Sequence, residues 1–147
     1  MTKWNYRISN NLHKVKEVSR KILNLLDERR LGESFIFDVK LASEEAMINA
    51  IKYGNRSSAD KSVRIDCDIT KEAIVISVED EGQGFDYRNL PDPTKDENLT
   101  KGEGRGLFLI HNVMDKVEFN SQGNRITMTK FFPKIKGVKD ADSAKAS

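Results

Sequence analysis

The chain has a single cysteine, Cys67, and only two histidines, His13 and His111. The first scarcity excludes an internal disulfide framework and a cysteine-based zinc site, and the second argues against a histidine metal cluster. There are three prolines and one tryptophan. No apolar run approaches the roughly 20 residues of a membrane span, and Met1-Thr2-Lys3-Trp4 does not open a secretory signal. What is present is a chain of 147 residues, 37% hydrophobic and 33% charged. That length is enough to bury a real core without covalent staples, and the balance is wet but foldable. The expectation is one soluble cytoplasmic domain with no membrane contact.

The net charge of +2 conceals an asymmetry. Residues 1–31 carry eight basic and three acidic side chains, whereas residues 72–103 carry nine acidic and three basic ones. A basic N-terminal face can contact nucleic acid or an acidic protein, but it is also what a solvated helix face looks like. Basic residues there are not interleaved with aromatics beyond Trp4, Tyr6 and Arg7, so no direct nucleic-acid partner is expected.

Periodicity gives the order of elements. Trp4, Tyr6 and Ile8 alternate with polar residues as in a half-buried strand. Leu12, Val15, Val18, Ile22, Leu25 and Leu26 form the stripe of an amphipathic helix, with Asn10 or Asn11 as its cap and Gly32 as its end. A second helix is expected from a Ser34 cap to Tyr53, with Gly54 as a left-handed terminator. Val63, Ile65, Cys67 and Ile69 then make a strand, in which Cys67 reads as core filler rather than nucleophile. Ile74, Ile76 and Val78 make another, whose parity turns Asp80 toward the apolar side. A carboxylate facing a core costs several kcal/mol unless something hydrogen-bonds it, which marks Asp80 as a site residue.

Residues 86–101 break all periodicity and hold Pro91 and Pro93. A loop of that length is a lid, a binding loop or disordered. A short helix from about Gly106 to Met114 and a hairpin of 117–119 with 125–132 complete the pattern. These elements lack the regular strand–helix rhythm of a doubly wound sheet. They predict an α+β two-layer sandwich, its mixed, mostly antiparallel sheet covered on one face by helices.

Three segments carry chemistry. In LASEEAMINAIKYGN (41–55), Glu45 and Asn49 lie four apart on one helix face, roughly 6 Å from each other. Asp38, Ala42 and Lys52 continue the stripe. A carboxylate beside a neutral amide oxygen suits a general base next to a magnesium ligand, although the same pair is common on exposed helices. In VEDEGQGFD (78–86), a strand ends in Asp80, and Gly82 and Gly84 then let the backbone turn and approach a ligand. Asp80 could accept from an exocyclic amine such as that of adenine. In GEGRGLFLIHNVMD (102–115), Gly102, Gly104 and Gly106 run into a helix whose free N–H groups favour an anion. The spacing is neither a Rossmann fingerprint nor a Walker A loop.

Taken in order, the three segments resemble the N, G1 and G2 boxes of the GHKL ATPases, which share the Bergerat ATP-binding fold, across residues 4–132. Within that superfamily, EAMINAIKYG and GRGLFLIHNVMD resemble the RsbW-type anti-sigma factor serine kinases. The resemblance implies a kinase domain over residues 1–133; beyond Pro133 the tail over 134–147 has no apolar pattern and is expected to be disordered. It makes Glu45 the catalytic base, Asn49 the Mg²⁺ ligand and Asp80 the acid that holds adenine of ATP. It also places Gly82 and Gly84 under the nucleotide and Gly104 and Gly106 around the phosphates, with Gly102 and Leu107 as further nucleotide-binding residues. Residues 86–101 become the ATP lid. Arg105 would reach a phosphate or a partner protein, and Lys52 would be a nucleotide contact or a surface salt-bridge partner. Glu44, five residues before Asn49, points to another face. The implied partners are a STAS-class anti-anti-sigma protein as serine phosphoacceptor, a sigma factor held inactive, and a second copy of the chain in a homodimer.

One departure is visible. Many relatives place a threonine after the glycine of the last hairpin, where it holds adenine through water; here Asn124 follows Gly123, with Thr127 and Thr129 as possible substitutes. Two other readings remain at this level: an ATP-gated binding module without phosphotransfer, and a weak ATPase in which water replaces the serine.

Overall fold

A computed structural model describes residues 2–83 and 102–134, with residues 28 and 102–105 by their backbone alone. Gly84, the expected lid at 86–101 and the tail at 135–147 lie outside the described residues. The order of elements is β1 (Thr2–Ser9), α1 (Val15–Asn24), α2 (Glu33–Asn49), a π-helical turn (Ala50–Gly54), β2 (Ser62–Ile69), β3 (Ala73–Glu79), α3 (Gly102–Val113), β4 (Lys116–Phe119) and β5 (Arg125–Phe131). The strands form one five-stranded sheet in the order β1-β2-β3-β5-β4. All its pairings among the described residues are antiparallel.

Alternation explains the register. Tyr6, Ile65, Val78, Ile126 and Phe119 sit side by side across all the strands, and Trp4, Cys67, Ile76, Met128 and Val117 form the next such row. A slip of one residue would turn both apolar rows to solvent, so burial fixes the pairing. The helices cover this face, with Val18, Ile22, Val39, Met47 and Ile110 at 0% exposure. Each such side chain contributes about 1.5–3 kcal/mol of burial. The other face of the sheet is polar: Arg125 bonds both Glu79 and Asp66 at 3.0 Å, and the Ser77 and Thr127 hydroxyls lie 3.0 Å apart. The α+β sandwich with helices on one face is therefore the observed architecture.

Several helix ends differ from the sequence reading. The Asn11 side chain accepts from His13 N–H at 2.9 Å and caps a short 3₁₀ turn that leads into α1. That helix closes at Asn24, because the N–H groups of Leu25 and Leu26 fall back on the carbonyls of Ile22 and Leu23 and tighten the last turn. Arg30, at φ 51°, is the left-handed residue between the helices, and Gly32 is the N-cap of α2 rather than the end of α1. Ser34 consequently falls inside the first turn of α2. Gly54 does not terminate α2 in the left-handed region; Arg56 and Ser57 take positive φ there. α3 begins at Gly102, four residues before the expected start.

Candidate functional site

The site gathers where α2, the exit of β3, α3 and the β4–β5 hairpin meet. A cleft opens there, with apolar walls from Ala46, Ala50, Val78, Leu107, Phe119 and Ile126. Its polar lining includes Asn49, Asp80 and Asn124, and Tyr53 stands 39% exposed at the edge. Flat apolar walls with a few polar groups are what an aromatic heterocycle needs: the faces bury area and the edge finds hydrogen bonds.

Asp80 follows the last residue of β3, and strand parity keeps it on the helix side with Val78. Its carboxylate is half-buried, and that burial is the main reason its pKa lies above the ordinary carboxyl value. The Gly82 N–H, donating to Asp80 Oδ1 at 2.7 Å, opposes the shift; Glu79 adds to it and Lys61 opposes it. Two glycines make room. A Cβ on Gly54 would lie 2.1 Å from Asp80 Oδ2, and one on Gly82 would lie 2.0 Å from the Gly54 carbonyl oxygen. Gly54, Asp80 and Gly82 thus interlock, and the glycine at 54 serves close approach rather than helix termination.

Asn55 secures this corner and went unnoticed in the sequence. It is fully buried, donates to Asn10 Oδ1 at 3.1 Å and to the Ser62 carbonyl at 2.9 Å, and accepts from Glu81 N–H at 2.7 Å. One carboxamide thereby joins the end of the π-helical turn, the entry to β2 and the residue after Asp80. Its position just past Gly54 was the only available signal, and an asparagine there is indistinguishable from a turn residue.

Glu45 and Asn49 do share one face of α2, and that face meets α3. A Cβ on Gly106 would lie 3.1 Å from Asn49 Nδ2 and 3.2 Å from Glu45 Oε1, so glycine allows the helices to close over both side chains. Asn49 Nδ2 is buried with no hydrogen-bond partner among the described residues. An orphaned amide in a cleft costs about 1–3 kcal/mol unless a ligand engages it. Glu44 instead pairs with Lys40 at 3.6 Å, away from Asn49. Asp38, read as part of the same stripe, pairs with Lys130 at 3.1 Å. Lys130 also donates to the Val113 carbonyl at 2.8 Å, closing the end of α3. Lys52 is exposed and does not line the cleft.

With α3 starting at Gly102, the glycines occupy its first turns, and its unbonded N–H groups belong to the first four residues. Gly102, Gly104 and Arg105 therefore belong to that N-terminal segment of α3, whereas Gly106 packs on Glu45 and Asn49. Leu107 is buried in the cleft wall. In the hairpin, Asn124 lines the cleft, whereas Thr127 pairs with Ser77 on the opposite face and Thr129 shares that face. His13 and His111 are both exposed, off the apolar stripes.

The donor set suits a magnesium nucleotide. Among the described residues no group of three or more His, Cys, Asp or Glu could hold a metal by itself. One amide oxygen from Asn49 near one carboxylate fits Mg²⁺, which takes few protein ligands when phosphates and water complete its shell.

Residues 8–130 match the model of the histidine kinase-like ATPase domain. The serine-protein kinase RsbW of Staphylococcus aureus, in strains JH9 and Newman alike, is 35% identical over 115 residues, covering 71% of this chain and 72% of that protein. A crystal structure of the RsbU and RsbW domains of a Mycobacterium tuberculosis protein covers 95% of this chain with a TM-score of 0.59 at 15% identity, a likeness of fold. This chain spans 35% of that longer one. The chain belongs to the histidine kinase-like ATPase family, within the GHKL superfamily and among relatives of the RsbW serine-protein kinase type.

Proposed function

We propose that this protein is an ATP-dependent serine kinase of partner switching. It phosphorylates a STAS-class anti-anti-sigma protein and, when that antagonist is phosphorylated, sequesters a sigma factor. The observation that carries the reading is the meeting of Glu45 and Asn49 with Gly106 of α3, beside a cleft that Asn49 and Asp80 both line. The similarity to serine-protein kinase RsbW supports the same assignment, and the family is one of ATP-using domains.

In this reading Asp80 accepts from the exocyclic amine of adenine while the apolar walls sandwich the ring. Asn49 holds Mg²⁺, which when bound neutralises charge on the phosphates. Gly82 lies under the nucleotide. The start of α3, from Gly102 through Gly104 and Arg105, faces the triphosphate with its free N–H groups and dipole, while Gly106 keeps α3 close over Glu45 and Asn49. Phosphoryl transfer is mostly positioning and charge stabilisation, so these groups supply most of what the reaction needs. Glu45 takes the proton of the incoming serine hydroxyl. The serine oxygen bonds to the γ-phosphorus, the bond to the bridging oxygen breaks, and ADP leaves. A second copy of the chain completes a homodimer in the cytoplasm.

The test is incubation of the purified protein with Mg²⁺ and γ-labelled ATP in extract of its own organism, beside a Glu45→Ala variant. Label on serine of one small protein, lost with the variant, supports the kinase and identifies its antagonist. ATP binding with no labelled protein contradicts it in favour of a nucleotide-gated binding module.

A further inference from the structure

We propose that Asn124 is a specificity-determining residue that reads N1 of adenine beside Asp80; this rests on the ATP reading above. The hairpin turn is built to hold its carboxamide still. Asn120 Oδ1 accepts from the N–H groups of Gly123, Asn124 and Arg125 at 2.8, 3.1 and 3.2 Å. Gly123 takes φ 81°, a left-handed conformation that suits glycine. Asn120 Nδ2 donates to Asn124 Oδ1 at 2.7 Å, and Asn124 Nδ2 donates to the Asp80 carbonyl at 3.2 Å. The Asp80 N–H returns a bond to the Asn124 carbonyl at 2.9 Å.

A backbone carbonyl can only accept, so the Asp80 bond settles which end of the carboxamide is nitrogen. An asparagine amide carries two N–H donors. One is used on Asp80, and the second is left for the cleft that Asn124 and Asp80 both line. The two side chains therefore offer a ligand one acceptor and one donor. Adenine presents the complement on its Watson–Crick edge, an amino donor adjacent to the N1 acceptor. Guanine presents an acceptor adjacent to an N1–H donor, which would set like groups against both Asp80 and Asn124. A site built to hydrogen-bond one edge rejects the reversed edge strongly, because its own polar groups are left unpaired.

The experiment titrates wild type, Asn124→Ala and Asn124→Asp with ATP and with 1-deaza-ATP, which lacks only the N1 acceptor. Wild type is expected to lose about tenfold in affinity for the analogue, the worth of one hydrogen bond in a protected site. Asn124→Asp, which keeps the acceptor for Asn120 and removes the N–H, is expected to bind ATP and 1-deaza-ATP equally, as is Asn124→Ala. Equal binding of both nucleotides by wild type overturns the role of Asn124 and leaves the ATP site standing, as does an undiminished tenfold loss in the Asn124 variants. If wild type binds neither nucleotide, the ATP reading fails and this inference with it.

Discussion

The carboxylate of Asp80 occupies the space that a side chain on Gly54 would fill, since a Cβ there would come within 2.1 Å of Asp80 Oδ2 and 2.3 Å of its Cγ. The end of the N-box helix and the acid at the end of β3 are therefore fitted to each other before any ligand arrives. Gly54→Ala is expected to displace Asp80 and to cost about 1–3 kcal/mol of stability by overpacking. ATP affinity should fall tenfold or more with it, as measured by calorimetric titration. A variant with unchanged stability and affinity would mean that Asp80 can move aside freely.

Asp80 itself should trade stability for binding. Burial raises its folded-state pKa, so ionising Asp80 costs more in the folded, ligand-free protein than in the unfolded chain. Its contribution to stability is present below the unfolded value near 3.8 and is lost as pH rises through the raised folded value. Asp80→Asn, which mimics the neutral form, should therefore raise the melting temperature at pH 7 while weakening ATP binding. Acidification toward that raised pKa should weaken ATP binding to wild type more than to the variant, because only wild type has an acceptor to protonate. Parallel pH profiles for the two proteins would remove Asp80 from the binding site.

Asn55 should matter for both properties without touching ligand. Asn55→Ala leaves the part-buried Ser62 carbonyl and Glu81 N–H without their partner, a loss of about 1–3 kcal/mol in denaturant unfolding. Its residual folded fraction should bind ATP more weakly, since the residue after Asp80 loses its anchor. Full affinity in the folded fraction would show the Asp80 corner to be held by its glycines alone.

Cys67 should be chemically silent. The thiol is buried between Trp4 and Ile76 in the sheet, and burial pushes its pKa up to about 12. Reaction with a thiol reagent at pH 8 is expected only in denaturant, because the thiolate is the reactive form. Fast modification of the native protein would contradict the core packing described.

Much of this is legible in the sequence. Strand alternation placed Tyr6, Ile65 and Val78 on one face and carried Asp80 with them, because a period of two admits no other answer. The i, i+4 spacing of Glu45 and Asn49 did the same on α2. What escaped was contact between distant segments. Gly54 read as a helix terminator because that is the local use of glycine, whereas its reason is Asp80, far along the chain. Asp38 lies at helical spacing on the Glu45–Asn49 stripe, but its pairing with Lys130 of β5 cannot be read from that spacing. Asn55 and Asn120 each satisfy several backbone or side-chain groups, and no local pattern separates such hubs from ordinary loop asparagines. The start of α3 was misplaced because three glycines oppose helix propensity by about 1 kcal/mol each, and the packing of Gly106 on α2 overrides them.

The most direct test of the account separates nucleotide binding from transfer at Glu45. Wild type and Glu45→Gln are titrated with Mg-ATP and then assayed for phosphotransfer to the serine of the antagonist protein. The account predicts the same ATP affinity within about twofold and a transfer rate reduced 10²-fold or more, the usual worth of a positioned general base. Undiminished transfer by Glu45→Gln would contradict it, and the face of α2 that meets Gly106 would have to be assigned to binding alone.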